Sequence, residues 1–314
     1  MDTNINETSL AEKLTKNIGR YTNKSFDWKA FPSNIGYAEL DRAQMRYIGA
    51  GGSPKVGDQT TLPPEHFTLS LIHQPPGKYA ACHEHEIEEA FLVLDGVLTV
   101  GWEKDGDVIE VKLGPKDMVL NARFVPHGFR NAGVDPVLMS IMVGAGKPLP
   151  PRYLYHPKNT DPELAAAFGA KPGHVLPFDP NGTHPLQVLM AQYVVRFSEQ
   201  KTQWDKAGIG HKIYVGEGGM KPSTACKEML MIPRGVGVKP YSCDTEEAFF
   251  VLEGCITVGW EENGQITEQR LGEKDLVLTP AGRPHYFRND DMKDALVLAV
   301  IGGQKLRSVE FERA

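Results

Sequence analysis

Short apolar runs with alternating polar positions fill most of the chain, broken at intervals by Gly, Pro, Asn and Asp. AFLVL (90–94) and VLTVGW (97–102) flank Asp95-Gly96, and the next pair of runs flanks Asp105-Gly106. Asp-Gly between β-rich apolar runs predicts a hairpin, because Gly accepts the positive φ of the turn. Many short strands with turns about ten residues apart predict a sandwich or barrel, an all-β fold. Helical signals are few. ETSLAEKLTKNIG (7–19) reads as a short helix with Thr8 or Ser9 as cap and Gly19 as stop. GKPLPPRYLYHPKNTDPELAAAFG holds one more, capped by Thr160 or Asp161, with Pro162 in its first turn and Gly169 at its end.

The pattern repeats. EEAFLVLDGVLTVGWEKDG from Glu88 returns as EEAFFVLEGCITVGWEENG from Glu246, an offset of 158 residues. At that offset 25 of the 44 positions from Glu88 to Asn131 match Glu246 to Asn289 without a gap. The chain is therefore a duplicated unit. The expected organisation is an arm over residues 1–45, a first barrel over 46–145, a Pro-rich linker and packing arm over 146–205, and a second barrel over 206–314.

Composition narrows the class. With 32 Gly, 23 Pro and 41% hydrophobic residues in 314, the chain suits a globular protein of many turns. Its net charge of −6 argues against a general nucleic-acid binder. No apolar run approaches the roughly 18 residues of a membrane span, and the N-terminus lacks the features of a secretory signal. The cysteines, Cys82, Cys226, Cys243 and Cys255, form neither a CxxC nor a disulfide ladder. A reducing cytoplasm is the expected location.

The ten histidines are unevenly placed. His83 and His85 sit two apart in a strand-like run and so face one way; Glu89 keeps that parity, and His127 comes from a later strand. Three imidazoles and a carboxylate converging in a barrel suit Fe(II), Mn(II), Ni(II), Cu(II) or Zn(II), without the thiolates of a structural zinc finger. Here the chain resembles the cupin superfamily. Gly77, His83, His85, Glu89 and Gly96 meet its first motif, G-x5-HxH-x3,4-E-x6-G, at every position. His127 and Asn131 fit the second motif, while Ala122 and Phe124 replace its usual Pro and Gly. The resemblance covers both repeats. It implies two cupin (double-stranded β-helix, jelly-roll) barrels in tandem with short helical arms. It also implies one divalent metal per chain, held by His83, His85, Glu89 and His127.

In the second repeat His83 becomes Tyr241, His85 becomes Cys243, and Glu247 and His285 remain. A Cys243–Glu247–His285 site is chemically open, but a structural barrel without metal is the expected reading. Residues kept in both repeats read as scaffold: Gly96/Gly254, Trp102/Trp260, Asp117/Asp275, Arg130/Arg288 and Asn131/Asn289. Residues peculiar to the first are functional candidates: Gln74, Arg123 and Phe124. Arg123 shares strand parity with His127 and is expected to meet an anionic substrate. Phe91, Val93 and Phe129 share parity with the ligands and are expected along the cavity wall, with Met139 and Met142 also excluding water.

The resemblance points to dioxygenases of the quercetin and gentisate type. These would use Fe(II) and O2 on an aromatic, phenolic or diketone-type small molecule, with Glu89 as base. The gentisate branch generally lacks the Glu ligand. Two alternatives stand beside it: a non-oxidative Mn or Zn isomerase, lyase or decarboxylase, and a metal-loaded binding protein without turnover. A homo-oligomer is expected, because arms from a neighbour can cover the edge strands of open barrels.

Overall fold

The computed structural model describes residues 9–51, 60–307 and 309–314. The chain forms two compact units, Lys24–Gln200 and, discontinuously, the residues up to Asn23 with Lys201–Ala314. The segment expected as one N-terminal arm is thus divided after Asn23. Most of the expected linker belongs to the unit of the first barrel.

That barrel is built from two six-stranded sheets. One runs Val194–Val195, Met118–Asn121, Glu89–Asp95, Val137–Val143, Thr68–Gln74, Ala43–Ile48; the other Arg152–Tyr155, Tyr79–Glu84, His127–Arg130, Leu98–Lys104, Asp107–Leu113, Val175–Pro177. Inward-facing residues of both, among them Ile72, Phe91, Val100, Trp102, Phe129 and Met139, make one apolar core. The Asp105-Gly106 hairpin is present: Lys104 pairs with Asp107, and both turn residues have positive φ, 56° and 89°. The Asp95-Gly96 turn is not a hairpin. The strands on either side lie in different sheets, so the turn carries the chain from one sheet to the other. Gly96 is needed there for a further reason: at φ 81° a Cβ would sit 2.9 Å from the Pro136 carbonyl oxygen.

The second barrel repeats this plan in a seven-stranded and a three-stranded sheet. Its counterpart of Tyr79–Glu84 is reduced to isolated bridges at Gly237 and Tyr241, opposite Arg288 and His285. The kept residues earn their scaffold reading. Asn131 Nδ2 donates to the carbonyls of Gln74 and Asp135, and Asn289 Nδ2 to those of Ile232 and Lys293. Arg130 pairs with Glu110, and Arg288 with Glu268.

The duplication also extends into the arms. Helix Leu10–Lys16 is capped by Ser9, whose side chain accepts from the Glu12 amide while Glu12 reaches back. Thr8 lies outside the described residues, and the helix closes at Asn17, before the expected Gly19. Next, Ile18–Gly19 adds to the edge of Leu276–Thr279, and Arg20 pairs with Asp275 at 2.8 Å. In the other unit, helix Pro185–Met190 leads to Val194–Val195 on the edge of Met118–Asn121, and Arg196 pairs with Asp117 at 2.7 Å. Leu10 and Leu14 enter the second core as Leu186 and Met190 enter the first. Helix Pro162–Ala166 has Asp161 as its cap, as one of the two expected. These arm strands cover edges of their own chain, so they supply no reason for a partner to do so. Among the described residues no helix is long and apolar enough to cross a membrane.

Candidate metal centre

His83 lies in the strand Tyr79–Glu84, His85 one residue past its end, Glu89 at the start of Glu89–Asp95, and His127 at the start of His127–Arg130. Strand pairing sets His83 opposite His127. Glu89 Oε2 is 3.8 Å from His83 Nε2, 3.6 Å from His85 Nε2 and 3.1 Å from His127 Nε2. One donor atom from each of the four lies within 4.8 Å of the others, and all four residues are buried.

Their hydrogen bonds fit a metal. His83 Nδ1 lies 2.7 Å from the Ala81 carbonyl and His127 Nδ1 2.8 Å from that of Val125. A carbonyl only accepts, so these contacts place protons on Nδ1 and turn both Nε2 atoms to the centre, where His127 Nε2 meets Glu89 Oε2 at 3.1 Å, the contact that a divalent ion would replace. His85 is buried with neither ring nitrogen hydrogen-bonded among the described residues, a costly arrangement for a polar ring unless a cation takes the lone pair. Burial lowers the pKa of His83 and takes His85 down to about 4, keeping both neutral. Burial alone would raise Glu89, but the surrounding imidazoles outweigh it and hold the carboxyl well below its usual range. Neutral His83 and His85 beside an ionised Glu89 are the donor state that a divalent ion needs.

The small cavity over this cluster, about 40 Å³, is lined in part by Phe31, Arg42, Ile72, Phe129, Ile141 and Tyr153. Arg42 is 5% exposed, its guanidinium 4.2 Å from the Phe31 ring, and its Nε has no hydrogen-bond partner among the described residues. Burial lowers its pKa, opposed by the nearby Tyr153 hydroxyl and the charge of Glu89. Tyr153 pairs with His83 across the ladder, and its hydroxyl is 2.9 Å from Ser33 Oγ. Neither residue was read as functional from the sequence. Both fall in segments that look like arms, and only their unlike partners, an Arg before an apolar strand and a Tyr in RYLY, hint at a role.

The sequence candidates divide. Phe129 lines the cavity, and Phe91 packs edge-on against Phe129 at 5.1 Å and His127 at 5.9 Å. Val93 and Met139 belong to the core, whereas Met142 points off the Ile141 face by strand alternation. Gln74 is fully buried with both side-chain amide atoms unpartnered among the described residues, but it does not line the cavity. Arg123 is a correction. It is exposed, its Nε donates to the Glu86 carbonyl at 2.8 Å, and it lies outside the cavity. The parity argument fails because residues 122–126 form a turn, with Phe124 at φ 58°, not a strand.

The cupin-domain family model matches residues 70–144 and 228–301, one match in each repeat. With two jelly-roll barrels and the motif residues gathered in the first, the chain is a double cupin of the cupin superfamily. A search of curated proteins finds no match. Among solved structures, a variant of Bacillus subtilis oxalate decarboxylase is similar at 15% identity and TM-score 0.68, over 97% of this chain and 80% of that one. Lactobacillus farciminis oxalate decarboxylase in a formate complex is similar at 12% identity and TM-score 0.65, over 93% and 88%. A further Bacillus subtilis oxalate decarboxylase structure, described by its Mn(II) centres, shares 15% identity at TM-score 0.67 over 97% and 80%. At such identities the likeness is one of fold.

Proposed function

We propose that the first barrel is a metal-dependent enzyme acting on a small carboxylate anion without net consumption of oxygen, a lyase of the decarboxylase kind. The observation that carries this reading is Arg42, a buried guanidinium with an unpaired Nε in the same cavity as His83, His85 and Glu89. Its planar fork matches a carboxylate. The cavity size supports a substrate of few atoms. A water needs about 10–15 Å³, so about 40 Å³ favours a short-chain acid. The neighbouring structures named as oxalate decarboxylases support the same reading. Ring cleavage with Fe(II) and O2, expected from the resemblance, has less support on each count. Manganese is the first metal to test, because Mn(II) is named for one of those neighbours.

A divalent ion on His83, His85, Glu89 and His127 would supply Lewis-acid polarisation of a substrate oxygen. Arg42 binds and orients the carboxylate. Tyr153 shares the cavity with Arg42, its hydroxyl 2.9 Å from Ser33 Oγ, and holds the proton that the substrate carbon takes up as its bond to the departing CO2 breaks. Phe31, Ile72, Phe129 and Ile141 exclude water and strengthen both interactions.

The test is purified chain loaded with Mn(II), Fe(II) or Zn(II) and incubated with mono- and dicarboxylates of short chain. Substrate loss is followed by NMR, alongside an oxygen electrode. Turnover without oxygen uptake supports the proposal. Turnover of phenols or diketones with one O2 consumed per product would replace it with the dioxygenase reading. Metal-loaded chain that binds a carboxylate and never turns it over would leave the binding-protein reading.

A further inference from the structure

The second barrel keeps Glu247 and His285 at the positions of Glu89 and His127, but its centre is occupied from within the chain. Glu247 Oε2 receives the Tyr241 hydroxyl at 2.7 Å and lies 2.9 Å from His285 Nε2 and 3.7 Å from Cys243 Sγ. Its other oxygen receives Nε of Arg307 at 2.9 Å, together with Nη2. Nη1 of the same guanidinium donates to Glu228. The side chains of Arg307, Glu247 and Glu228 are 5%, 0% and 2% exposed.

Arg307 belongs to the C-terminal segment, which closes this end of the barrel. Phe311 packs against Tyr241 at 5.1 Å and Phe287 at 5.2 Å, and its ring lies 4.7 Å from the guanidinium. The amide of Lys239 donates to the Glu312 carbonyl, and that of Ala314 to the Gly237 carbonyl. In the first barrel Glu89 faces three imidazoles with no guanidinium hydrogen-bonded to it among the described contacts.

A buried carboxylate needs a cation. We propose that Arg307 is the resident cation of the second barrel, and that its withdrawal turns Cys243, Glu247 and His285 into a site for a zinc-class divalent ion. One donor atom from each of these three already lies within 4.8 Å of the others, and all three are buried. Thiolate, imidazole and carboxylate together select Zn(II) or Co(II) over Mn(II). Without Arg307, Glu247 and Glu228 are two buried carboxylates short of one cation, which a divalent ion corrects. The C-terminal segment thus acts as a lock on a metal site that the duplication left behind, and it does so independently of what the first barrel catalyses.

The test uses the full chain dialysed against Co(II), with metal content and near-ultraviolet absorption measured together. The thiolate-to-cobalt charge-transfer band reports a cysteine ligand, which the first-barrel donor set lacks, and the Cys243→Ser control separates Cys243 from the free Cys82, Cys226 and Cys255. Wild type and Arg307→Lys should lack the band. Arg307→Ala should gain it together with one more equivalent of cobalt than wild type, and Arg307→Ala/Cys243→Ser should lose both. If Arg307→Ala is unfolded in metal-free buffer, Co(II) should restore its thermal transition. The proposal is overturned by the band in wild type, by Arg307→Ala without extra cobalt, or by an Arg307→Ala chain that saturating cobalt does not refold.

Discussion

Tyr153 stands opposite His83 in the antiparallel pairing of Arg152–Tyr155 with Tyr79–Glu84, their rings 5.7 Å apart. A segment that reads as linker thereby delivers a phenol to the candidate metal centre. Tyr153→Phe keeps the ring and removes only the hydroxyl. Metal content and KM should hold, while kcat falls by about 10²–10⁴-fold, the usual cost of losing a positioned proton donor. Unchanged kcat would end the proton role, and Ser33→Ala should cost less, since Ser33 only positions the hydroxyl.

Arg42 predicts a different signature. Removing one charge-assisted hydrogen bond of about 1.5–3 kcal/mol should weaken substrate binding by roughly 10–150-fold in Arg42→Ala. Arg42→Lys should recover only part, because an ammonium lacks the fork. Arg123→Ala, on an exposed turn, should bind substrate like wild type. Isothermal titration with the best carboxylate from the substrate screen distinguishes the two arginines, and equal losses at both would return the anion site to Arg123.

For metal content, the expectation is one equivalent per chain in the wild type. His85→Ala should bring it close to zero, since His85 has no other partner for its ring nitrogens. Cys243→Ala should leave it at one, since Glu247 is already paired with Arg307. Elemental analysis of freshly purified chain decides, and two equivalents in the wild type would contradict the single centre.

Stability should depend on pH through His211, which lies between Glu228 at 2.9 Å and Asp205 at 3.1 Å. Burial by itself would lower its pKa, and the hydrogen bonds and charge of these carboxylates outweigh that and raise it, with Arg307 opposing. A raised folded pKa means that folding favours the protonated ring. This contribution is complete below the unfolded value of about 6.5 and disappears as pH rises through the higher folded value. The thermal midpoint of the wild type should therefore decline from neutral to mildly alkaline pH, and His211→Gln should flatten that decline. An identical slope in the variant would assign it elsewhere.

The arm pairs give a stability prediction in duplicate. Asp275 holds Arg20 at 2.8 Å and the Tyr21 amide at 2.9 Å, while Asp117 holds Arg196 at 2.7 Å and the Phe197 amide at 3.1 Å. Each ion pair is partly exposed and is discounted accordingly. Asp275→Ala and Asp117→Ala should each lower the unfolding free energy by about 1–3 kcal/mol, mostly through the unpaired amide and arginine. Urea titration of both variants tests this, and a loss at one site alone would mean that the arms are not equivalent.

What the sequence determined is what short range and repetition encode. The duplication announces two barrels, because identical spacing of apolar residues and turn glycines must fold alike. The HxH spacing and the carboxylate that follows it mark the centre, since neighbours on a chain can be brought to one point by local geometry. The Ser9 cap and the Asp105-Gly106 turn were legible for the same reason. Strand parity misled at Arg123, because alternation holds only while the backbone stays extended, and Phe124 turns it. The Asp95-Gly96 signal misled because a turn motif specifies a reversal, while the sheet that each strand joins is set by packing. Arg42, Tyr153 and Arg307 were not assigned a role by the sequence. Each lies far along the chain from the residues it meets, Tyr153 from His83, Arg42 from Glu89 and Arg307 from Glu247, and only the closing of the sheets and the C-terminal segment sets these groups in the dry interior where they matter.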